Sequence, residues 1–175
     1  MSCSDTFKFD LNALPQGITR KELVEDDAYF ATLSDAEVKA GDLKTTVTIN
    51  RVGDVFELDF HTEGYVIIPC DICLDDMQQD IATDNHLLVK FGDDYSEEDE
   101  VITVAENEGM LDTAWLVYQF IYLSIPLRHV HAPGKCNPAM TKLLQEHSAA
   151  RSGDGDGEKM MDSRWEALKN LHLTD

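Results

Sequence analysis

The sequence predicts an α+β fold: an antiparallel β-sheet, open or barrel-like, with one buried helix packed on it and short helices at the C-terminal end. Three observations carry this expectation. Short β-rich pieces follow one another through the first hundred residues, punctuated by turn residues. One strongly apolar run, Ala114 to Leu127, is interrupted by Gln119 and Ser124 and falls short of the ~20 residues that span a bilayer, so it reads as a core helix. Beyond it, two short helix-compatible segments flank a stretch rich in Gly and Asp.

The strands are expected at Phe7 to Leu11, Lys44 to Asn50, Val55 to His61 and Tyr65 to Pro69, with Gly53-Asp54 suited to a hairpin turn. Val55, Glu57 and Asp59 alternate with Phe56, Leu58 and Phe60, so the second set should face the core. Asn85 to Phe91 and Val101 to Val104 add two strands, separated by an acidic connector, Gly92 to Glu100, expected to be a mobile loop. Asp112 can cap a helix from Thr113 to about Ser124, because its carboxylate can accept from an unpaired N–H of the first turn. Leu116, Phe120 and Leu123 share one face of that helix and Val117 and Ile121 an adjacent one, too wide a stripe for a surface helix. Pro126 stops it, and Pro138 opens a second helix to His147.

This organisation divides the chain into a main domain over residues 1–147, a flexible linker over 148–161 and a C-terminal helix over 162–175. The linker contains Ser152-Gly-Asp-Gly-Asp-Gly157, which has nothing to bury. In the closing segment Trp165, Leu168 and Leu171 form one apolar edge. So short a helix is marginal alone, and its edge is expected to dock on the domain or to anchor a partner.

Net charge narrows the function classes. At −20 the chain repels phosphate, which disfavours general nucleic-acid binding. The distribution is uneven: from Pro126 onward seven basic residues balance seven acidic ones, so the whole excess lies before that point. Any direct phosphate contact belongs in the last part, where Arg128, Lys135, Lys142, Arg164 and Lys169 are the candidates. The N-terminal residues lack the apolar stretch of a secretion signal, and four cysteines are then expected in a reducing compartment, the cytoplasm.

In such a compartment closely spaced cysteines point to a metal or to catalysis. Cys70-Asp-Ile-Cys73 follows an apolar strand and Pro69, where a tight turn can aim both sulfurs at one point. His131 and Cys136 lie about the turn residues Pro133 and Gly134 and can supply the other half of a tetrahedral Cys₃His site for one structural zinc, with His129 as a substitute ligand. Reduced thiols packed as small hydrophobes and a redox pair are the alternatives; the redox reading wants its thiols at a helix start. His61 and His86 fall in strand patterns and are assigned no role, and the acidic run from Asp93 to Glu100 reads as a solvated loop. Phosphate-binding glycine motifs and common hydrolase motifs are missing.

Taken together, the Cys-x-x-Cys-Leu turn at Cys70 to Leu74, the Leu-x-Ile-Pro helix end at Leu123 to Pro126, then His131 and Cys136, resemble the YceD family of large ribosomal RNA subunit accumulation proteins. The closing Asp162-Ser-Arg-Trp165-Glu-Ala-Leu168 is similar to that family's last signature, with Ser163 where proline is common. The resemblance implies a non-catalytic role in large-subunit ribosomal RNA accumulation or processing in bacteria and plastids. Two mechanisms fit it: the basic residues named above contact rRNA, or the acidic body holds a basic ribosomal protein or assembly factor. The charge favours the second, with Trp165 and Leu168 as partner-anchor candidates. A different class, a small thiol- or metal-dependent enzyme using Cys70, Cys73 and His131 as base, is the alternative.

Overall fold

The computed structural model describes residues 6–34, 36–98 and 101–147 of the 175-residue chain. Its centre is an open, mixed six-stranded sheet in the order β2-β3-β4-β5-β7-β6, formed by β2 (Gly17–Glu25), β3 (Ala40–Val52), β4 (Val55–Pro69), β5 (Asp76–Gly92), β6 (Ser96–Glu98) and β7 (Val101–Ala105). Its neighbours are antiparallel except β5 and β7, which run parallel. A separate ribbon pairs β1 (Lys8–Asp10) with β8 (Met110–Asp112). The helices are α1 (Asp27–Thr32), α2 (Ala114–Ser124) and α3 (Pro138–His147). The architecture is α+β, and the sheet is not closed into a barrel.

The hairpin β3–β4 turns at Gly53, whose φ of +65° supplies the left-handed first position that a tight hairpin needs. Alternation then sorts the residues: Phe56, Leu58 and Phe60 are buried, while Glu57 and Asp59 face water. β4 runs on through Gly64 where the sequence suggests two strands. At Gly64, with φ +145°, a Cβ would lie 2.3 Å from the Asp42 carbonyl oxygen, so only glycine lets β3 approach this closely. β5 likewise begins nine residues before Asn85: its first half, Asp76 to Asp84, alternates in exposure but fully buries only Ile81, and polar Gln79 and Thr83 at inward positions hide the pattern in the sequence.

Three elements lack a clear sequence signature. In β2 the buried residues are Leu23 and Glu25, and the Lys21 ammonium lies 4.6 Å from the Phe9 ring centre, its stem covering apolar surface. α1 is a six-residue helix capped by Asp26, whose carboxylate accepts from the Tyr29 amide at 3.0 Å. It buries Tyr29 and Phe30; the Tyr29 hydroxyl donates to the Ala114 carbonyl at 2.8 Å, fixing the start of α2. The connector expected to be a mobile loop contains β6, which pairs antiparallel with β7. Backbone pairing there outweighs the repulsion among acidic side chains that reach water.

α2 starts one residue later than expected, at Ala114, whose amide donates to Asp112 Oδ1 at 3.0 Å. It is half-buried rather than buried: Val117, Tyr118 and Ile121 enter the core, while Trp115, Tyr122 and Leu123 face outward. α3 has the expected bounds and buries none of its residues. Among the described residues no helix is long and apolar enough to cross a membrane. The linker 148–161 and the segment 162–175 lie outside the described residues.

Candidate metal centre

The turn between β4 and β5 is held by its own backbone. The Cys70 amide donates to the Asp75 carbonyl and the Leu74 amide to the Cys70 carbonyl, both at 2.9 Å, and the Ile72 amide points at Cys70 Sγ at 3.4 Å. Closing so tight a loop places Leu74 at φ +63°, a left-handed conformation unusual for leucine. Both cysteine side chains turn inward and are buried.

A second segment, the loop from α2 to α3, is brought against this turn by polar ties. The Asp71 amide donates to the His129 carbonyl at 3.0 Å, the His129 amide donates to Asp71 Oδ2 at 2.8 Å, and His129 Nε2 lies 3.3 Å from Asp71 Oδ1. Further along, Asn137 Nδ2 donates to Asp75 Oδ2 at 3.1 Å. The Lys135 amide donates to the Ala132 carbonyl at 2.9 Å, closing the turn about Pro133 and Gly134. His129 is therefore committed to Asp71 and Pro126 and stands outside the cluster, which corrects its candidacy as a substitute ligand.

These ties bring Cys70, Cys73, His131 and Cys136 together, one ligand atom from each lying within 4.8 Å of the others. Cys70 Sγ is 3.9 Å from Cys136 Sγ, and Cys73 Sγ is 3.3 Å from His131 Nδ1. A tetrahedral zinc with metal–sulfur bonds of ~2.3 Å has sulfur–sulfur edges of about 3.8 Å, so the donors stand near ligand positions.

Electrostatics point the same way. Burial opposes ionisation of the Cys70 thiol, but the amides of Cys73, His131 and Ile72, with the His131 side chain, outweigh it and bring the thiol down to about 6. Burial, together with the Cys70 and Cys73 sulfurs, pushes Cys136 up to about 11. Three thiolates this close would repel one another, and a dication bound among them would remove that conflict. The four residues lie close enough to hold a metal ion.

A family model described as Large ribosomal RNA subunit accumulation protein YceD matches residues 58–172. The chain belongs to the YceD family. No curated protein and no solved structure matches it. The match takes in most of β4, the Cys70, Cys73, His131 and Cys136 cluster, α2 and α3, and ties this YceD-family chain to accumulation of the large ribosomal RNA subunit.

Of the basic candidates, Arg128, Lys135 and Lys142 are all exposed, and Lys142 sits 3.8 Å from Glu146 one helical turn on. Arg164, Lys169, Trp165 and Leu168 lie outside the described residues. His61 and His86 stand on the wet sheet face and pair across strands with Asp84 and Asp59, at 2.7 and 2.8 Å. Sequence reasoning missed Asp71 and Asp75, which tether the second half of the cluster. Their signal is faint: acids beside a Cys-x-x-Cys turn look like ordinary solvated turn residues.

Proposed function

We propose that this YceD-family chain is a non-catalytic factor in large-subunit rRNA accumulation and processing, holding one structural zinc and offering an acidic sheet face to a basic ribosomal protein or assembly factor. The observation that carries the binding half is the composition of the wet face. Asp42 of β3, Glu57, Asp59 and Glu63 of β4, and Asp80 and Asp84 of β5 are all exposed on adjacent paired strands, in a chain of net charge −20. Such a field accelerates encounter with a basic partner and keeps polyphosphate away.

The zinc reading rests on the donors. Three thiols and one imidazole form a closed structural set, and with all four positions filled by protein no place is left for substrate or water. That argues against the thiol-enzyme reading, although Cys73 and His131 are near enough for one to activate the other. Asp71 fastens the loop that carries His131 without entering the cluster. Asp71→Ala is therefore expected to weaken zinc binding about tenfold while leaving its stoichiometry unchanged, as measured by competition with a chromogenic chelator.

A second reading, rRNA contact through Arg128, Lys135, Lys142, Arg164 and Lys169, is supported by the exposure of the first three around the metal-held loop. One experiment separates the two. Binding of the full chain to basic large-subunit ribosomal proteins and to rRNA fragments is measured across a salt series. The triple variant Glu57→Lys, Glu63→Lys, Asp80→Lys is run in parallel, its fold checked by circular dichroism. On the protein-binding reading the variant loses about tenfold or more in affinity for the basic protein. Binding to rRNA that the triple variant strengthens, and that Arg128→Ala with Lys142→Ala weakens, would replace it with the RNA reading.

A further inference from the structure

We infer that the C-terminal segment, residues 162–175, seats on the outward flank of α2 and covers the aromatic and leucine side chains exposed there. Trp115, Tyr118 and Tyr122 recur at helical spacing and stack into a ladder, with ring centres 5.0 Å apart for the first pair and 5.9 Å for the second. The middle rung is fixed, because the buried Tyr118 hydroxyl accepts from the amides of Glu37 and Val38 at 2.8 and 3.3 Å. The outer rungs remain open to water: Trp115 is 43% exposed, Tyr122 40% and the adjoining Leu123 80%. Leu127 extends the strip past the end of the helix and is fully exposed.

Two clefts of about 450 and 470 Å³ adjoin along this strip and share Glu37, Tyr122 and Leu123. At their junction the Tyr122 hydroxyl donates to Glu37 Oε2 at 2.7 Å, which leaves a carboxylate beside the apolar surface. Contiguous apolar surface with one fixed charge suits an amphipathic segment that carries a base beside its apolar edge.

The chain holds such a segment at a workable distance. Trp165, Leu168 and Leu171 give the apolar edge, and Arg164 and Lys169 adjoin it with charge opposite to Glu37. α3 ends at His147, and the intervening residues 148–161 can span at most ~50 Å at extended-chain rise. A domain of this size is on the order of 40 Å across, so the flank is within reach. The family match runs from residue 58 to residue 172, so α2 and the closing segment fall within one matched unit. A second copy of the chain is the poorer occupant, since two molecules of charge −20 repel each other on approach. The proposal is independent of what the acidic face binds.

The full chain has two tryptophans, so Trp165→Phe leaves Trp115 as its single fluorescent reporter while keeping an aromatic ring at position 165. Acrylamide quenching of Trp115 is measured in that variant and again after adding Leu168→Glu, which breaks the apolar edge. The expected result is a shielded Trp115 in the first, and roughly a twofold larger quenching constant in the second, independent of protein concentration. Equal quenching in both variants overturns the proposal. A photocrosslinking residue at position 165 gives the location: cross-links within one chain to 115–127 support the seat, whereas cross-links to α3 or to a second copy overturn it.

Discussion

Cys70→Ser and Cys136→Ser should each empty the metal centre and lower the melting temperature by about 10 °C. A metal present at about a thousand times its Kd stabilises the folded state by roughly 4 kcal/mol, and a chain of this size moves by ~2–4 °C per kcal/mol. The loss should be local at first. The β3–β4–β5 core packs Phe56, Leu58, Phe60 and Leu87 with no help from the cluster, whereas the loop carrying His131 and Cys136 is attached through a few polar ties. Metal analysis of untagged protein purified without chelator should give about one zinc per chain in the parent and none in either variant. Hydrogen exchange should show faster exchange around residues 126–137 with the sheet still protected. A parent free of zinc, or variants that melt with the parent, would reduce the cluster to packed thiols.

That Cys70, Cys73, His131 and Cys136 would meet was legible in the sequence although the two halves are far apart in the chain. Two thiols on a turn and an imidazole with a thiol around Pro133-Gly134 are each half of one coordination sphere, and chemistry links them where spacing does not. The choice between His129 and His131 was not legible, because it depends on Asp71 capturing His129 across the fold. The β3–β4 hairpin declared itself through strict alternation around a glycine turn. β2 and the first half of β5 did not, because one is an edge strand with charges on both faces and the other projects beyond the core. α2 was misjudged for the opposite reason. Apolar residues on every side predicted full burial, but Val117, Tyr118 and Ile121 enter the core with Leu116 and Phe120 packed against it, while Trp115, Tyr122 and Leu123 keep much of their surface exposed. An excess of apolar surface on a helix reports that the surface has a use, and leaves open whether the core or another segment meets it.

Glu25→Gln should stabilise the protein at pH 8 by roughly 3 kcal/mol and flatten its pH dependence. Glu25 ends β2 with its side chain turned inward, fully buried, and neither carboxylate oxygen has a hydrogen-bond partner of normal geometry among the described residues. The nearby Thr45 hydroxyl is engaged with Thr62 at 2.8 Å. Burial pushes the carboxyl from its ordinary 4.5 up to about 7, and the influence of the Thr45 hydroxyl and neighbouring amides offsets only part of that. Between those two values the folded state binds more protons at Glu25 than the unfolded one, so the contribution of Glu25 is most favourable below pH 4.5 and is lost as pH rises towards 7. Above 7 both states are ionised, and the fold carries the cost of a buried, unsatisfied charge. Glutamine keeps the shape and removes the charge at every pH. Other groups also titrate in this window; His61, raised by its Asp84 partner, loses stabilisation in the same direction, so the informative quantity is the difference between parent and variant. Melting curves at pH 5, 6, 7 and 8 should show that gap widening with pH to about 6–12 °C. Parallel curves across the series would mean that Glu25 is solvated or paired in the folded protein and carries no such cost.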